Sequence, residues 1–160
     1  MSVPESDERR FALRLLDYWQ VVRGEREFPK PEEIDLDALG RDAVSVALIE
    51  LANRPEDALF RYLGPHLKPA GWLPCDQTGN GRTVAEVPGG SLLHELLRSL
   101  PQVINRPVPL SLGGAFALGG RPVLGRSILL PLSTDGVRAT HLLGGITYRY
   151  TDQMDRDDIA

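Results

Sequence analysis

Apolar positions in this chain follow two different periods, and the change between them divides it into elements. Over residues 6–23, Phe11, Leu15, Tyr18, Trp19 and Val22 recur at spacings of four, three, one and three. That rhythm gathers them on one face of a helix. Asp7 and Glu8 stand in its first turn, where the helix dipole favours acids, and Gly24 supplies a stop. Residues 25–31 turn the chain, and a short helical piece is expected over 32–39. The pattern then becomes β-compatible: 43–51 (AVSVALIEL) reads as a strand, 53–56 as a turn and 58–63 (ALFRYL) as the returning strand of a hairpin. Residues 64–90, rich in glycine and proline, read as irregular with short helical turns at most.

Ser91 offers an N-cap to a second amphipathic stripe, Leu92, Leu93, Leu96, Leu97 and Leu100, and Pro101 places the end of that helix near Leu100. Three strands follow, over 108–118, 123–132 and 139–150, with Gly119-Gly120 and Asp135-Gly136 as the turn signals between them. In the last two, apolar residues fall at even and odd positions alike: Ile128, Leu129 and Leu130, then Leu142 and Leu143. A sheet with one wet face would alternate, so both faces are expected to be covered. The middle helix covers one. The N-terminal helix, or a second copy of the chain, is the candidate for the other. Five antiparallel strands with helices packed on them make an α+β fold.

Composition narrows the picture. The chain has 160 residues, the length of one domain, and its net charge of −4 is spread without a basic stripe, which argues against a nucleic-acid partner. The N-terminal string MSVPESDERR lacks the apolar core of a signal peptide, and no apolar run approaches the ~18 residues of a membrane span, so no membrane role is expected. A lone cysteine, Cys75, forms no internal disulfide, which fits a reducing cytoplasm. The division expected is a single domain over 1–160, with a helix over 6–23, a core over 43–150 and an acidic tail over 151–160.

Candidate chemistry is sparse. His94-Glu95 opens like a zinc-protease H-E-x-x-H helix, but Arg98 stands where the second histidine would be. His66 falls in a loop and His141 in a strand. Cys75 lies between Pro74 and Asp76, neither of which would depress its pKa. Gly79-Asn80-Gly81-Arg82 lacks phosphate-loop spacing and reads as a turn. Gly113-Gly114 and Gly144-Gly145 fall inside predicted strands, where a bulge is the first explanation and close backbone approach to a ligand the second. No catalytic set, no metal site and no cofactor motif is predicted.

Several strings nevertheless resemble a known family. Leu15-Leu16-Asp17-Tyr18-Trp19, followed by Arg23-Gly24-x-Arg26 and Pro29, is similar to the opening of a PAS-like domain family common in alphaproteobacteria. Phe60-Arg61-Tyr62, Leu130-Pro131-Leu132-Ser133-x-Asp135-Gly136 and Leu143-Gly144-Gly145 continue the likeness to Tyr150. The resemblance implies a PAS-like five-stranded antiparallel sheet and a sensory or signalling module without catalysis, which binds a small apolar molecule or a protein partner. A structural docking adaptor without ligand is the alternative, and a small isomerase or hydratase on a curved sheet the third reading. The asparagine-cysteine-arginine motif of flavin-reactive PAS domains is missing.

A PAS arrangement would set a cavity between the inner sheet face and residues 64–100. Strand alternation puts Leu142, Ile146 and Tyr148 on one face, and Leu110, Leu112 and Phe116 on one face of their strand. The expected lining is Leu112, Phe116, Leu142, Ile146, Trp72 and Leu97, with Tyr148 supplying a hydroxyl. The helix face of Phe11, Leu15, Tyr18, Trp19 and Val22 is expected against the outer sheet or a second subunit, and a homodimer is expected with it. If Asp135-Gly136 makes a two-residue turn, Leu130 pairs with His141 and the best apolar sets of the two strands point to opposite faces.

Overall fold

A long helix opens the fold because its stripe has a complete face to cover. The computed structural model describes residues 7–72 and 82–151; Cys75, the turn at Gly79-Asn80-Gly81 and the tail from Asp152 lie outside them. Helix α1 spans Asp7–Arg23. The strands are β1 (Val46–Glu50), β2 (Leu59–Leu63), β3 (Leu110–Leu118), β4 (Arg121–Leu132) and β5 (His141–Tyr150). They form one antiparallel sheet in the order β2-β1-β5-β4-β3. Two short helices, α2 (Leu92–Leu97) and α3 (Leu100–Asn105), stand between β2 and β3 in the chain. Two strands, helices, then three strands, in an α+β arrangement with an N-terminal helix, is consistent with a PAS-like fold.

The centre of the sheet, over β1, β5 and the second half of β4, is buried on both faces. On the outer face Phe11, Ala12, Leu15 and Trp19 of α1 pack on Val46, Ile128, Leu130, Leu132 and Leu143. Burying a large side chain of this kind contributes about 1.5–3 kcal/mol. The Trp19 indole N–H also donates to the Pro131 carbonyl at 2.8 Å, which pins the helix to β4. The α1 stripe is therefore satisfied by its own sheet. Tyr18 and Val22, at its border, are half-buried. On the inner face Leu93, Leu96, Leu97, Leu100 and Val103 pack on Ala47, Ile49, Phe60, Leu129, Leu142 and Ile146.

The structure corrects four boundaries or local geometries. The front of the 43–51 run is a 3-10 turn (Gly40–Ser45), and β1 begins only at Val46. Tertiary contacts hold it so: the Tyr62 hydroxyl donates to the Ala43 carbonyl at 2.7 Å, and Gly64 lies so close to Val44 that a Cβ there would collide with its carbonyl group. The predicted helix over 91–100 is two helices. Ser91 does cap the first, accepting from the His94 N–H at 3.1 Å, but Pro101 sits in the first turn of α3, where its missing N–H costs nothing.

Asp135-Gly136 is not a two-residue turn. Leu132 pairs with His141, so residues 133–140 form the loop and Leu130 stands opposite Leu143. The pairing differs from that of a two-residue turn by two residues, which moves no side chain to the other face. The expected mismatch therefore does not arise: Leu130 and Leu143 share the outer face, Leu129 and Leu142 the inner. Finally, the paired glycines make no bulge, because the β3–β4, β4–β5 and β1–β5 registers run unbroken. The register shift lies in β1–β2, where Leu48 and Ile49 face Tyr62 and Phe60 and leave Arg61 as the extra residue. Gly144 and Gly145 serve close approach instead. A Cβ on Gly145 would lie 2.7 Å from Leu15 Cδ1 and 2.8 Å from Phe11 Cζ; one on Gly144 would lie 2.9 Å from Leu129 and 3.4 Å from Leu96.

Candidate functional site: a cleft beside the inner sheet

Cross-strand rows build the site. On the inner face Leu112 stands opposite Ser127, and Ser127 opposite Ile146; the next row is Gly114, Gly125 and Tyr148, and the next Phe116, Val123 and Tyr150. The middle row starts with two glycines, which leaves a trough. Phe116 fills part of it by laying its ring over Gly125, where a Cβ would lie 2.7 Å from the ring. Helices α2 and α3 stop short of β3. What remains is an open cleft of about 390 Å³, floored by Leu112, Phe116 and Ile146.

Its far wall is polar. Glu95, Arg98, Ser99 and Gln102 line it, presented where the chain breaks between α2 and α3. Arg98 is tied to Glu95 at 2.9 Å, and as an exposed pair it adds little to stability. These four were missed because the sequence reading followed the leucine stripe and ended the helix near Leu100, although their i, i+3, i+4, i+7 spacing is that of one helix face. Arg98 is the one cation among the described lining residues, so the cleft offers no cluster of phosphate-binding donors.

The seven residues expected to line a pocket separate into groups. Leu112, Phe116 and Ile146 come together in the cleft. Tyr148 lines an adjoining cavity, also about 390 Å³, with Ile146, Leu92, His66, Ser45 and Thr147. The Tyr150 side chain beside it, with burial second, holds the Tyr148 phenol above its ordinary range. Leu97 and Leu142 are packed in the core away from the cleft. Trp72 stacks edge-on against Phe60 of β2, at the opposite border of the sheet, with the Arg82 guanidinium over its ring.

The histidines do not converge on this cleft. His66 and His94 are exposed, and His141 is half-buried beside Glu50, with 3.6 Å between Nε2 and the carboxylate. Desolvation holds the His141 imidazole below its ordinary pKa, with the Glu50 charge opposing. Among the described residues no group of three or more His, Cys, Asp or Glu is placed to hold a metal, and no helix is long and apolar enough to cross a membrane.

The strings that carried the family resemblance have structural tasks. Gly24 closes α1 with φ +63°. Arg26 donates to the Val22 and Arg23 carbonyls at the helix end while pairing with Glu33. The Tyr18 hydroxyl accepts from the Asp35 N–H at 2.7 Å. Asp135 organises the 133–140 loop by accepting from Val137 and Arg138 N–H groups and the Ser133 hydroxyl, contacts that lower its pKa to about 2.

The sequence matches no family model and no curated protein. Among solved structures the chain is similar to a sensory box histidine kinase/response regulator from Burkholderia thailandensis E264. The likeness covers 78% of this chain and 92% of that one, at 12% identity and a TM-score of 0.33.

Proposed function

We propose that this chain is a cytoplasmic sensory module that binds a small, largely apolar molecule in the cleft between α2–α3 and β3–β4 and signals without catalysis. The observation that carries the reading is the make-up of that cleft: an apolar floor of Leu112, Phe116 and Ile146 under a polar wall of Glu95, Arg98, Ser99 and Gln102. A volume of about 390 Å³ lies at the lower end of the range for small-molecule sites, roughly 300–1,000 Å³. An aromatic or aliphatic body would lie on the floor while one polar end reaches Ser99 or Gln102. The protein then passes on the signal through a partner that senses how α2 and α3 are held.

Mass spectrometry tests this directly. Protein weighed intact under native conditions should carry an added mass that vanishes on denaturation. Leu112→Trp, at a position 45% exposed on the cleft floor, should remove the added mass and leave the fold unchanged. Identical native and denatured masses, with no small apolar compound bound on addition, would refute the sensor reading in favour of a docking adaptor.

A further inference from the structure

We propose that β3 is a dimerisation edge, pairing antiparallel with β3 of a second copy to make one continuous sheet across a two-fold axis. β3 is the outermost strand on its side, and among the described residues no strand lies beyond it. Residues 111–115 and 117 are exposed. Its outer backbone N–H and C=O groups are therefore a template for another strand. Protein edges are ordinarily blunted by charge, proline, a bulge or shortness. The opposite edge shows this protection: β2 has five residues, bears Arg61 as a bulged charged residue, and is bridged at Leu59 by Thr83. β3 has nine residues (LSLGGAFAL), none charged and none proline, in unbroken register with β4.

The strand's own pattern says which partner fits. Read from either end, β3 runs large apolar, small, large apolar, small, glycine, small, large apolar, small, large apolar. Its midpoint is Gly114. Full-length antiparallel overlap with a copy places Leu110 against the partner's Leu118, Leu112 against the partner's Phe116, and Gly114 against the partner's Gly114. All three pairs fall on the inner face, and small residues face one another on the outer face. Aromatic–aliphatic cross-strand pairs of this type stabilise sheets, and an isologous interface requires such self-complementarity. A foreign strand would need no palindrome. The strand itself carries no charge; Arg126 of β4 reaches over Gly113 on the outer face, away from the apolar inner-face pairs. The axis stands perpendicular to the sheet, so the two clefts open on the same side and their floors of Leu112 and Phe116 meet.

Gly114 makes the test clean. A Cβ there meets nothing within 4 Å and its φ is not in the left-handed region, so a side chain is tolerated in the single chain. In the dimer two such side chains stand opposite each other. Sedimentation of the full chain should show a dimer, and Gly114→Lys, which sets like charges face to face, should leave a monomer with unchanged circular dichroism and a melting temperature that no longer rises with protein concentration. Gly114→Cys in a Cys75→Ser background should form an interchain disulfide under mild oxidation, since opposed antiparallel residues have Cα atoms about 4.5–5.5 Å apart, inside the disulfide range. A monomeric parent chain overturns the proposal. So does a dimer that survives Gly114→Lys, or a Gly114→Cys variant that yields no disulfide-linked dimer.

Discussion

The two faces of the sheet are covered in different ways, and the difference decides where a site exists. The outer face is sealed by one helix of 17 residues, whose Phe11, Leu15 and Trp19 are each no more than 2% exposed. The inner face is covered by two helices of six residues each, broken at Arg98–Ser99. A continuous helix lays one unbroken ridge along the strands. Two short helices set at a break cannot reach both ends of the same sheet, so the border at β3 and β4 stays open. The close packing of α1 depends on Gly145, just as the inner trough depends on Gly114 and Gly125. Glycine thus admits a helix on one face and leaves space on the other.

Substitutions should separate a sealed face from an open one. The largest effect is expected for Trp19→Ala, which removes a buried indole and its bond to the Pro131 carbonyl. Loss of about 3–5 kcal/mol in urea unfolding follows from large-to-small core changes; a loss near zero would mean α1 is not docked. Gly145→Val should come next. It forces Leu15 and Phe11 off their seats and should cost about 1–3 kcal/mol, whereas the same change at Gly114 should cost far less because nothing stands in the way.

A pH titration gives a smaller effect, at the rim of the outer face. The folded pKa of His141 is lowered, so the fold favours the neutral imidazole. The stability linked to it is complete above the ordinary value of 6.5 and declines as pH falls through the lower folded value. His141→Gln should remove that decline. Asp135 contributes at more acid pH: its stabilising effect is present above 3.8 and is lost as pH falls towards about 2. Urea midpoints measured across pH, with and without each substitution, check both. The smallest change in stability is expected for Leu112→Trp, within about 0.5 kcal/mol as for most exposed positions. A large loss there would show that the inner border is as tightly packed as the outer face.

Much of this architecture was legible in the residues. The stripe of Phe11, Leu15 and Trp19, the Ser91 cap, the Gly119-Gly120 hairpin and the doubly apolar β4 and β5 all follow from local period and turn chemistry. Such signals depend on neighbours within a few positions, and chain order preserves them. What could not be read locally was set by contacts far apart in sequence. Pro101 looked like an end signal and proved to be a beginning, since either role suits a proline. The 133–140 loop hid the register of the closing strands until Leu132 was seen to pair with His141.

The cleft shows the same division. Alternation grouped Leu112 with Phe116 on one face of their strand and Ile146 with Leu142 on one face of theirs. The PAS-like arrangement suggested that these faces meet, and the structure brings Leu112, Phe116 and Ile146 together. Alternation could not say that Leu142 is sealed in the core together with Leu97 of α2, nor that Trp72 belongs to the far border with Phe60. Which side of a strand a residue occupies is a period-two property of the chain itself. Whether that side is covered, and by what, depends on helix lengths, breaks and crossing positions that arise only when distant elements pack. The sequence by itself therefore determined the faces, and the tertiary structure decided which part of one face was left open.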